Sequence, residues 1–282
     1  MYTPNTDSEF YKGPLKLKES TYIPETDFVY PDNPTEIFLH PVKKHDIKFD
    51  ENYPFYDTSL PMMLWKGFVH SVLFVLIRLL SYIAFGLKIE GRENIKKNHK
   101  LLKNGCMSVS NHVYAWDLLA VKCAFNHRPL YFPTKTTQIE SGAGIFIRGA
   151  GGIPIPESIK AIRYFNEAFD KINAKHKVIH VFPEASRWDY YQPIRPWHKG
   201  TFTMAYKYNL PVVPMAFSYR PVTGLWKLWK KNPCVTLRIG EPVLPDMEKG
   251  RKESCSELFT KVRAQVIALA GIEENCWIDE TV

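Results

Sequence analysis

The segment NHVYAWD, residues 111–117, places a histidine and an aspartate five positions apart, directly after a short apolar run. Imidazole is the side chain whose ordinary pKa lies near neutrality, so His112 can take a proton from a hydroxyl group and return it later. If a helix begins just after His112, the Asp117 carboxylate can reach the second ring nitrogen and fix the tautomer of the base. Without an evident serine or cysteine nucleophile beside it, the pair favours direct proton abstraction from a substrate hydroxyl. A surface histidine beside a helix-start aspartate is the alternative.

A second polar segment, FPEASRW at residues 182–188, places a carboxylate and a guanidinium three positions apart. The planar guanidinium of Arg187 suits a phosphate, and Glu184 can bind hydroxyl groups or orient Arg187. Further along, Lys199 supplies a point charge, and Gly200 either lets the backbone approach a ligand or begins a helix. These residues predict a headgroup site, although each alone also fits a surface salt bridge or a helix-start glycine.

Both segments belong to an alternation of strands and helices that begins near residue 105. The predicted strands are 105–110, 129–133, 177–183, 211–219 and 234–240, and the predicted helices are 113–125, 157–174, 201–208 and 249–270. This alternation is typical of an α/β fold with a mostly parallel central sheet flanked by helices, in which sites gather at the carboxyl ends of strands. We therefore expect an α/β domain over 105–282, with both polar segments at one edge of its sheet.

The chain before this domain divides into two parts. Residues 1–60 are rich in proline and predict an extended N-terminal arm. Residues 61–104 form an apolar helical region followed by a basic linker. The run 67–87 would measure about 31 Å as a helix, enough to cross a bilayer, but Arg78 lies deep within it. A helix lying in the membrane interface, a single span and a buried core helix all remain open.

Bulk composition limits the partners. The chain has a formal charge of +8, which favours an anionic partner, and the linker lysines and a tryptophan- and lysine-rich segment, GLWKLWKKN at 224–232, suit an anionic membrane surface. The alternative for 224–232 is a loop with two core tryptophans. We expect no nucleic-acid partner, because no recognition motif accompanies the charge. Five widely spaced cysteines argue against a disulfide framework and a zinc site, and no secretory signal is evident, so a reducing, cytosolic compartment fits best.

Four blocks of the sequence together resemble one family. NHVYAWD resembles the NHxxxxD block of glycerolipid acyltransferases of the 1-acylglycerol-3-phosphate type, and FPEASR is similar to their FPEGTR block, with Ala185 and Ser186 in place of glycine and threonine. GGIPI (151–155) is similar to their second block and VVPMAF (212–217) to their fourth. The blocks come in the family's order and cover about residues 105–245, so the resemblance is far more specific than any single block.

The resemblance implies a reaction and roles for residues. His112 would be the general base on an acceptor hydroxyl, oriented by Asp117, and the hydroxyl would attack the thioester of acyl-CoA or acyl carrier protein without a metal or other cofactor. Glu184 and Arg187 would bind the glycerol phosphate, with Lys199 and Lys135 as further contacts. The expected acceptor is a lysophospholipid, foremost 1-acyl-sn-glycerol 3-phosphate giving phosphatidic acid, at the cytoplasmic face of a membrane with peripheral or monotopic attachment, a single span being possible.

One block departs from the family. Where the family has an aspartate and a phosphate-binding arginine after the second block, this chain has Pro156 and Glu157. Either Arg148 or Arg163 supplies the missing charge, or the acceptor is another lysolipid or alcohol. A lipid-binding relative without catalytic activity is the third alternative.

Overall fold

The computed structural model describes residues 5–39, 42–126 and 128–281. Residues 1–4, 40 and 41 of the predicted arm, and residues 127 and 282 of the predicted α/β domain, lie outside the described residues. The strands are β1 (Lys16–Leu17), β2 (Lys88–Glu90), β3 (Cys106–Val109), β4 (Leu130–Lys135), β5 (Gly152–Ile155), β6 (Val178–Val181), β7 (Val212–Arg220), β8 (Cys234–Ile239) and β9 (Ile272–Glu274). The helices are α1 (Leu60–Ile83), α2 (Arg92–Lys97), α3 (His99–Leu102), α4 (Asp117–Phe125), α5 (Thr136–Glu140), α6 (Gly144–Gly149), α7 (Ile159–Ala174), α8 (Gly200–Tyr208) and α9 (Arg251–Leu269).

The central sheet has seven strands in the order β2-β8-β7-β3-β6-β4-β5. All neighbouring pairs are parallel except β7 and β8, so the prediction of a mostly parallel α/β sheet is confirmed. Strand β3 is buried along its whole length, and β7 is buried except at its last residue. This burial explains why these strands are continuous apolar runs rather than alternating ones. Helices cover both faces of the sheet, and one apolar cluster lies on each face.

The described part of the N-terminal arm is mostly irregular and packs on the α/β domain. Strand β1 pairs with β9 in a separate two-stranded sheet. Aromatic side chains of the arm, including Tyr30, pack with Trp188 and Trp277 in a third apolar cluster. The hydroxyl of Tyr30 donates to the backbone oxygen of Asp189 at 2.6 Å, and the indole N–H of Trp188 donates to the backbone oxygen of Glu36 at 3.1 Å. The arm therefore lies against the loop that follows FPEASR.

Helix α1 is the one helix in the described chain that is long and apolar enough to cross a membrane, by length and composition. One face packs on the domain through Met62, Val69, Phe74 and Ser81. The hydroxyl of Ser81 accepts a hydrogen bond of 3.0 Å from the indole of Trp116 near the start of α4. The opposite face carries exposed apolar side chains, namely Leu60, Leu64, Phe68, Val72, Val75, Leu76, Leu79, Leu80 and Ile83. The helix is thus apolar on both faces, and only one face is covered by protein.

Candidate active site

The predicted histidine–aspartate pair is formed. The Nδ1 atom of His112 lies 2.6 Å from Oδ2 of Asp117. Asp117 is the first residue of α4, and its other oxygen accepts a hydrogen bond of 2.8 Å from the backbone N–H of Leu118. The Asp117 side chain is 2% exposed and that of His112 is 23% exposed. Since Nδ1 is held by the carboxylate, Nε2 is the ring nitrogen that can act on a substrate.

Helix α4 begins at Asp117, four residues later than the predicted start at Val113. The reason is that the backbone oxygens of His112 and Val113 bond to another segment. They accept hydrogen bonds of 3.0 and 2.9 Å from the backbone N–H groups of Trp188 and Tyr190. A carbonyl used by the 186–190 loop in this way is not available to the first turn of a helix. The loop after FPEASR therefore holds the histidine segment extended.

The ring of His112 stacks on Phe182, with ring centroids 3.9 Å apart and planes inclined by 14°. Beneath Phe182 lies His180, whose ring contacts it edge to face at 4.4 Å. Burial, and then the charge of His112, lowers the pKa of His180 to about 3. Hydroxyls of Ser108 and Ser110 lie 2.9 and 3.4 Å from its ring nitrogens. His180 is therefore neutral near pH 7 and puts no positive charge beneath the ring of His112.

Asn111 ties the histidine segment to the centre of the sheet. Its amide donates to the backbone oxygen of Phe217 at 3.1 Å and accepts from the backbone N–H of the same residue at 2.7 Å. The residue is buried, and Phe217 belongs to β7, the strand beside β3. Asn111 thus fixes the loop that carries His112 against a rigid strand, a role that the sequence spacing did not reveal.

Glu184 is placed differently from the sequence expectation. Its side chain is 0% exposed, and it accepts hydrogen bonds from the backbone N–H of His112 at 3.1 Å and of Arg195 at 3.0 Å. The guanidinium of Arg195, itself buried, lies 3.1 Å from the Glu184 carboxylate and also donates to the backbone oxygen of Ser186. The expected contact between Glu184 and a glycerol phosphate does not fit this burial, because both carboxylate oxygens are already used by protein donors.

Arg195, the buried partner of Glu184, was not predicted from the sequence. It follows FPEASRW by seven positions, in the stretch YYQPIRPW. Its guanidinium lies over the ring of Trp188 at 4.7 Å and donates to the backbone oxygen of Pro34 at 3.3 Å. The available signal was a lone arginine among aromatic and proline residues, since a charged side chain in such a stretch is buried only when it is paired.

Arg187 and Lys135 are two of the cations that the sequence predicted as headgroup contacts. Arg187 is 32% exposed, and its Nε lies 3.0 Å from Oδ1 of Asp189, without the alignment of a hydrogen bond. Burial raises the pKa of Asp189, against the opposing effect of Arg187. Lys135 ends β4, and its pKa is lowered by burial and then by the charge of Arg195. Within the described chain, no carboxylate forms an ion pair with Lys135.

Two of the three other predicted contacts, Lys199 and Arg148, form ion pairs with carboxylates of the protein. Lys199 is exposed and pairs with Glu280 at 2.6 Å. Gly200 begins α8, and an added Cβ there would meet nothing within 4 Å. Arg148 in α6 pairs with Asp57 at 2.8 Å, beside residues 151–153 at the start of β5.

Each of the two arginines considered as replacements for the missing family arginine forms an ion pair with a carboxylate of the protein. Arg148 lies towards the amino ends of β4 and β5, at the other edge of the sheet, because its pair with Asp57 ties it to the arm. Arg163 is exposed on α7 and pairs with Glu167 at 2.9 Å, one helical turn away. Glu157 itself is exposed, with its carboxylate 3.5 Å from the hydroxyl of Thr136. In the described residues, no group of three or more metal-binding side chains could hold a metal ion.

Comparison with known proteins agrees with the sequence blocks. The sequence profile of the acyltransferase family matches residues 86–218, which hold β3, the His112–Asp117 pair and FPEASR. The 1-acyl-sn-glycerol-3-phosphate acyltransferase of Saccharomyces cerevisiae is 23% identical over 190 residues, which is 66% of this chain and 60% of that protein's own length. Over residues 86–218 the chain is similar to the acyltransferase family.

A solved structure is similar over much of the chain. It is the crystal structure of the 1-acyl-sn-glycerophosphate (LPA) acyltransferase PlsC from Thermotoga maritima, with 21% sequence identity and a TM-score of 0.44. The match covers 74% of this chain and 96% of that one.

Proposed function

We propose that the protein is a glycerolipid acyltransferase that moves a fatty acyl group from acyl-CoA or acyl carrier protein to the hydroxyl of a lysophospholipid. The observation that carries the proposal is the 2.6 Å contact between His112 and Asp117, within the residues that match the acyltransferase family. A buried carboxylate on Nδ1 makes the partly exposed imidazole a base aimed at solvent.

The geometry supports a mechanism without a covalent enzyme intermediate. Nε2 of His112 takes the proton from the acceptor hydroxyl as its oxygen attacks the thioester carbonyl carbon. The tetrahedral intermediate collapses with cleavage of the carbon–sulfur bond, and the imidazolium returns its proton to the departing thiolate. Asp117 stabilises the imidazolium in between, at 2.6 Å from Nδ1. Because His180 beneath the site is neutral, no second positive charge repels the imidazolium.

For the acceptor we propose 1-acyl-sn-glycerol 3-phosphate, which would give phosphatidic acid. Support comes from the Saccharomyces cerevisiae relative and from the two cations at the site edge, Lys135 and Arg187. Arg187 belongs to the loop whose backbone bonds the His112 segment, and Lys135 has no carboxylate partner in the described part of the chain. A phosphate there would be bound by charge-assisted hydrogen bonds. The carboxylates of Glu157 and Asp189 act in the opposite direction, because they repel an anionic headgroup.

We propose that the protein acts at the cytoplasmic face of a membrane as a monotopic enzyme. Its helix α1 packs along the domain on one side and exposes an apolar face on the other. A helix held along its length against a globular domain favours a position in the membrane interface over a span. Arg78 is exposed near the end of this helix, where a long side chain can reach the headgroup layer.

The test of the proposed function is the product formed from a panel of acceptors and donors. Purified protein in mixed micelles would be given lysolipids with phosphate, phosphocholine and phosphoglycerol headgroups, each with acyl-CoA or acyl carrier protein, and products would be identified by mass spectrometry. We expect phosphatidic acid from the phosphate-bearing acceptor. If only another lysolipid is acylated, the proposed acceptor is wrong and the proposed reaction stands. If acyl-CoA binds in a thermal-shift measurement but no pair of acceptor and donor gives a product, the proposed activity is overturned.

Substitution of Asp189 tests the charge at the acceptor site. Asp189→Asn removes the carboxylate that lies 3.0 Å from Arg187, so Arg187 becomes available to an anionic headgroup. We expect KM for 1-acyl-sn-glycerol 3-phosphate to fall by about 3–10-fold, as for a partly exposed ion pair. Asp170→Asn, which breaks the exposed pair with Lys207 elsewhere, is the matched control and should leave KM unchanged. An unchanged or higher KM in Asp189→Asn would exclude Arg187 as the phosphate contact.

A further inference from the structure

Residues 224–231, named here the tryptophan loop, form an exposed apolar projection between β7 and β8. A 3-10 turn over Gly224–Leu228 begins the loop. Leu225 is 73% exposed, Leu228 79% and Trp229 53%. Large apolar side chains concentrated in this way on a short exposed turn are unusual unless something covers them.

The tryptophan loop is fixed to the end of α1. The indole N–H of Trp226 donates to the backbone oxygen of Ile83, the last residue of α1, at 3.0 Å. The guanidinium of Arg220 lies 5.5 Å over the Trp226 ring and donates to the backbone oxygen of Gly86. Of the two tryptophans in the sequence motif, Trp226 is therefore an attachment to the protein and Trp229 is the exposed one.

This attachment joins two exposed apolar surfaces into one. The outer face of α1 ends in Leu79, Leu80 and Ile83, and Ile83 is the residue that Trp226 contacts. The charges on the combined surface are of one sign, because neither 60–83 nor 221–240 contains an aspartate or glutamate. Lys227 and Lys231 are exposed on the loop. Apolar and aromatic tips with flanking lysines match the acyl boundary and the phosphates of an anionic bilayer.

The joined surface also lies next to the candidate active site. Phe85, just after α1, contacts the ring of Trp116 at 4.8 Å and that of Tyr114 at 5.7 Å. Both aromatic residues belong to the segment between His112 and Asp117. A bilayer that covers the end of α1 would therefore lie beside the edge of the sheet where the base is located.

We propose that the tryptophan loop is a second membrane contact, in which Leu225, Leu228 and Trp229 insert between the headgroups of an anionic bilayer. With α1 as the first contact, two contacts fix the tilt of the domain, and this sets His112 at the depth of the lysolipid hydroxyl. The positioning of His112 relative to the lysolipid rests on the proposed function, whereas binding of the tryptophan loop to the bilayer does not.

The test is vesicle binding of a Leu225→Ser, Leu228→Ser, Trp229→Ser variant. Its matched control replaces three exposed apolar residues elsewhere, Ile159→Ser, Leu244→Ser and Met247→Ser. In co-sedimentation with vesicles of equal parts phosphatidylcholine and phosphatidylglycerol, we expect the loop variant to lose about tenfold or more in partition coefficient, from three partly buried apolar side chains. The control should partition like the wild type. Equal partition of the wild type and the loop variant, or an equal loss in the control, would overturn the proposal.

Charge and self-association are tested in parallel. Lys227→Gln with Lys231→Gln should reduce the preference for these vesicles over pure phosphatidylcholine by roughly 30-fold, since each lysine near an anionic surface contributes about 1 kcal/mol. If the wild type dimerises without vesicles and the loop variant does not, the surface is covered by a second copy of the chain, and the membrane assignment is overturned. Acyl transfer in detergent micelles separates the two proposals, because the loop variant should keep wild-type turnover there, whereas a chain without transfer activity would show none in either form.

Discussion

Replacement of His112 by alanine is expected to lower kcat/KM for acyl transfer by about 10²–10⁴-fold, the usual contribution of a general base. The variant loses the group that takes the acceptor proton, while its backbone N–H still donates to Glu184. The side chain is partly exposed, so the fold should be retained, as circular dichroism would check. The rate would be measured from release of the CoA thiol with saturating lysolipid.

Asp117→Asn separates tautomer control from the presence of the base. An asparagine can still accept the hydrogen bond from Leu118 N–H. It carries no negative charge, however, so it cannot stabilise the imidazolium of His112, whose Nδ1 lies 2.6 Å from the Asp117 carboxylate. We therefore expect kcat/KM to fall by about as much as in His112→Ala. His99→Ala, a change at an exposed histidine in α3, should leave kcat/KM unchanged. Near-normal turnover in His112→Ala would contradict the base mechanism directly.

The part of the site that was predictable from sequence is the part set by local spacing. His112 and Asp117 are five residues apart on one loop-to-helix junction, so their contact needs no information from distant segments. The role of Glu184 was not predictable in this way. Its burial depends on Arg195 and on His112 N–H, which reach it from 11 and 72 residues away. Packing, rather than spacing, decides which carboxylates face solvent, so the protein partners of Glu184 could not be read from the motif.

The elements of the fold also divide into those that local sequence predicts and those that it does not. Continuous apolar runs predicted β3 and β7, which are buried on both sides. Strand β5 was missed because its sequence, GIPI, combines glycine with proline; it is an edge strand, where a proline interrupts no ladder on its open side. Strand β2 was missed because its three residues, KIE, carry too short a pattern. The placement of α1 could not be decided from hydropathy either, since both of its faces are apolar and only tertiary contact distinguishes them.

The arm is another feature that only the structure reveals. Proline-rich sequence predicted an extended segment, but not its target. Backbone oxygens of Pro34 and Glu36 accept hydrogen bonds from Arg195 and Trp188, so the arm covers the loop that supports His112. A chain segment far from the motifs in sequence thus completes the surroundings of a buried ion pair beside the base.

Arg195→Met is expected to lower the free energy of unfolding by about 3–5 kcal/mol, the usual effect of removing one partner of a buried ion pair. The Glu184 carboxylate, with a side chain 0% exposed, would keep its charge in the interior without the guanidinium at 3.1 Å. The stacking on Trp188 would be reduced as well. The measurement is urea unfolding followed by tryptophan fluorescence, with Arg195→Lys as the variant that keeps the charge and should recover part of the loss.

The double variant Glu184→Gln with Arg195→Met distinguishes charge from shape. It leaves no uncompensated charge, so it should be more stable than Arg195→Met alone. Adding the Glu184→Gln single variant completes the cycle and gives the coupling free energy between the two side chains. Activity adds a second readout, because the Glu184 carboxylate accepts the backbone N–H of His112 at 3.1 Å. If Arg195 acts only on stability, kcat/KM of folded Arg195→Met equals that of the wild type; if it positions the base through Glu184, kcat falls at constant KM in the single variant. A stability loss below about 1 kcal/mol would mean that the pair is open to water, since exposed pairs contribute that little.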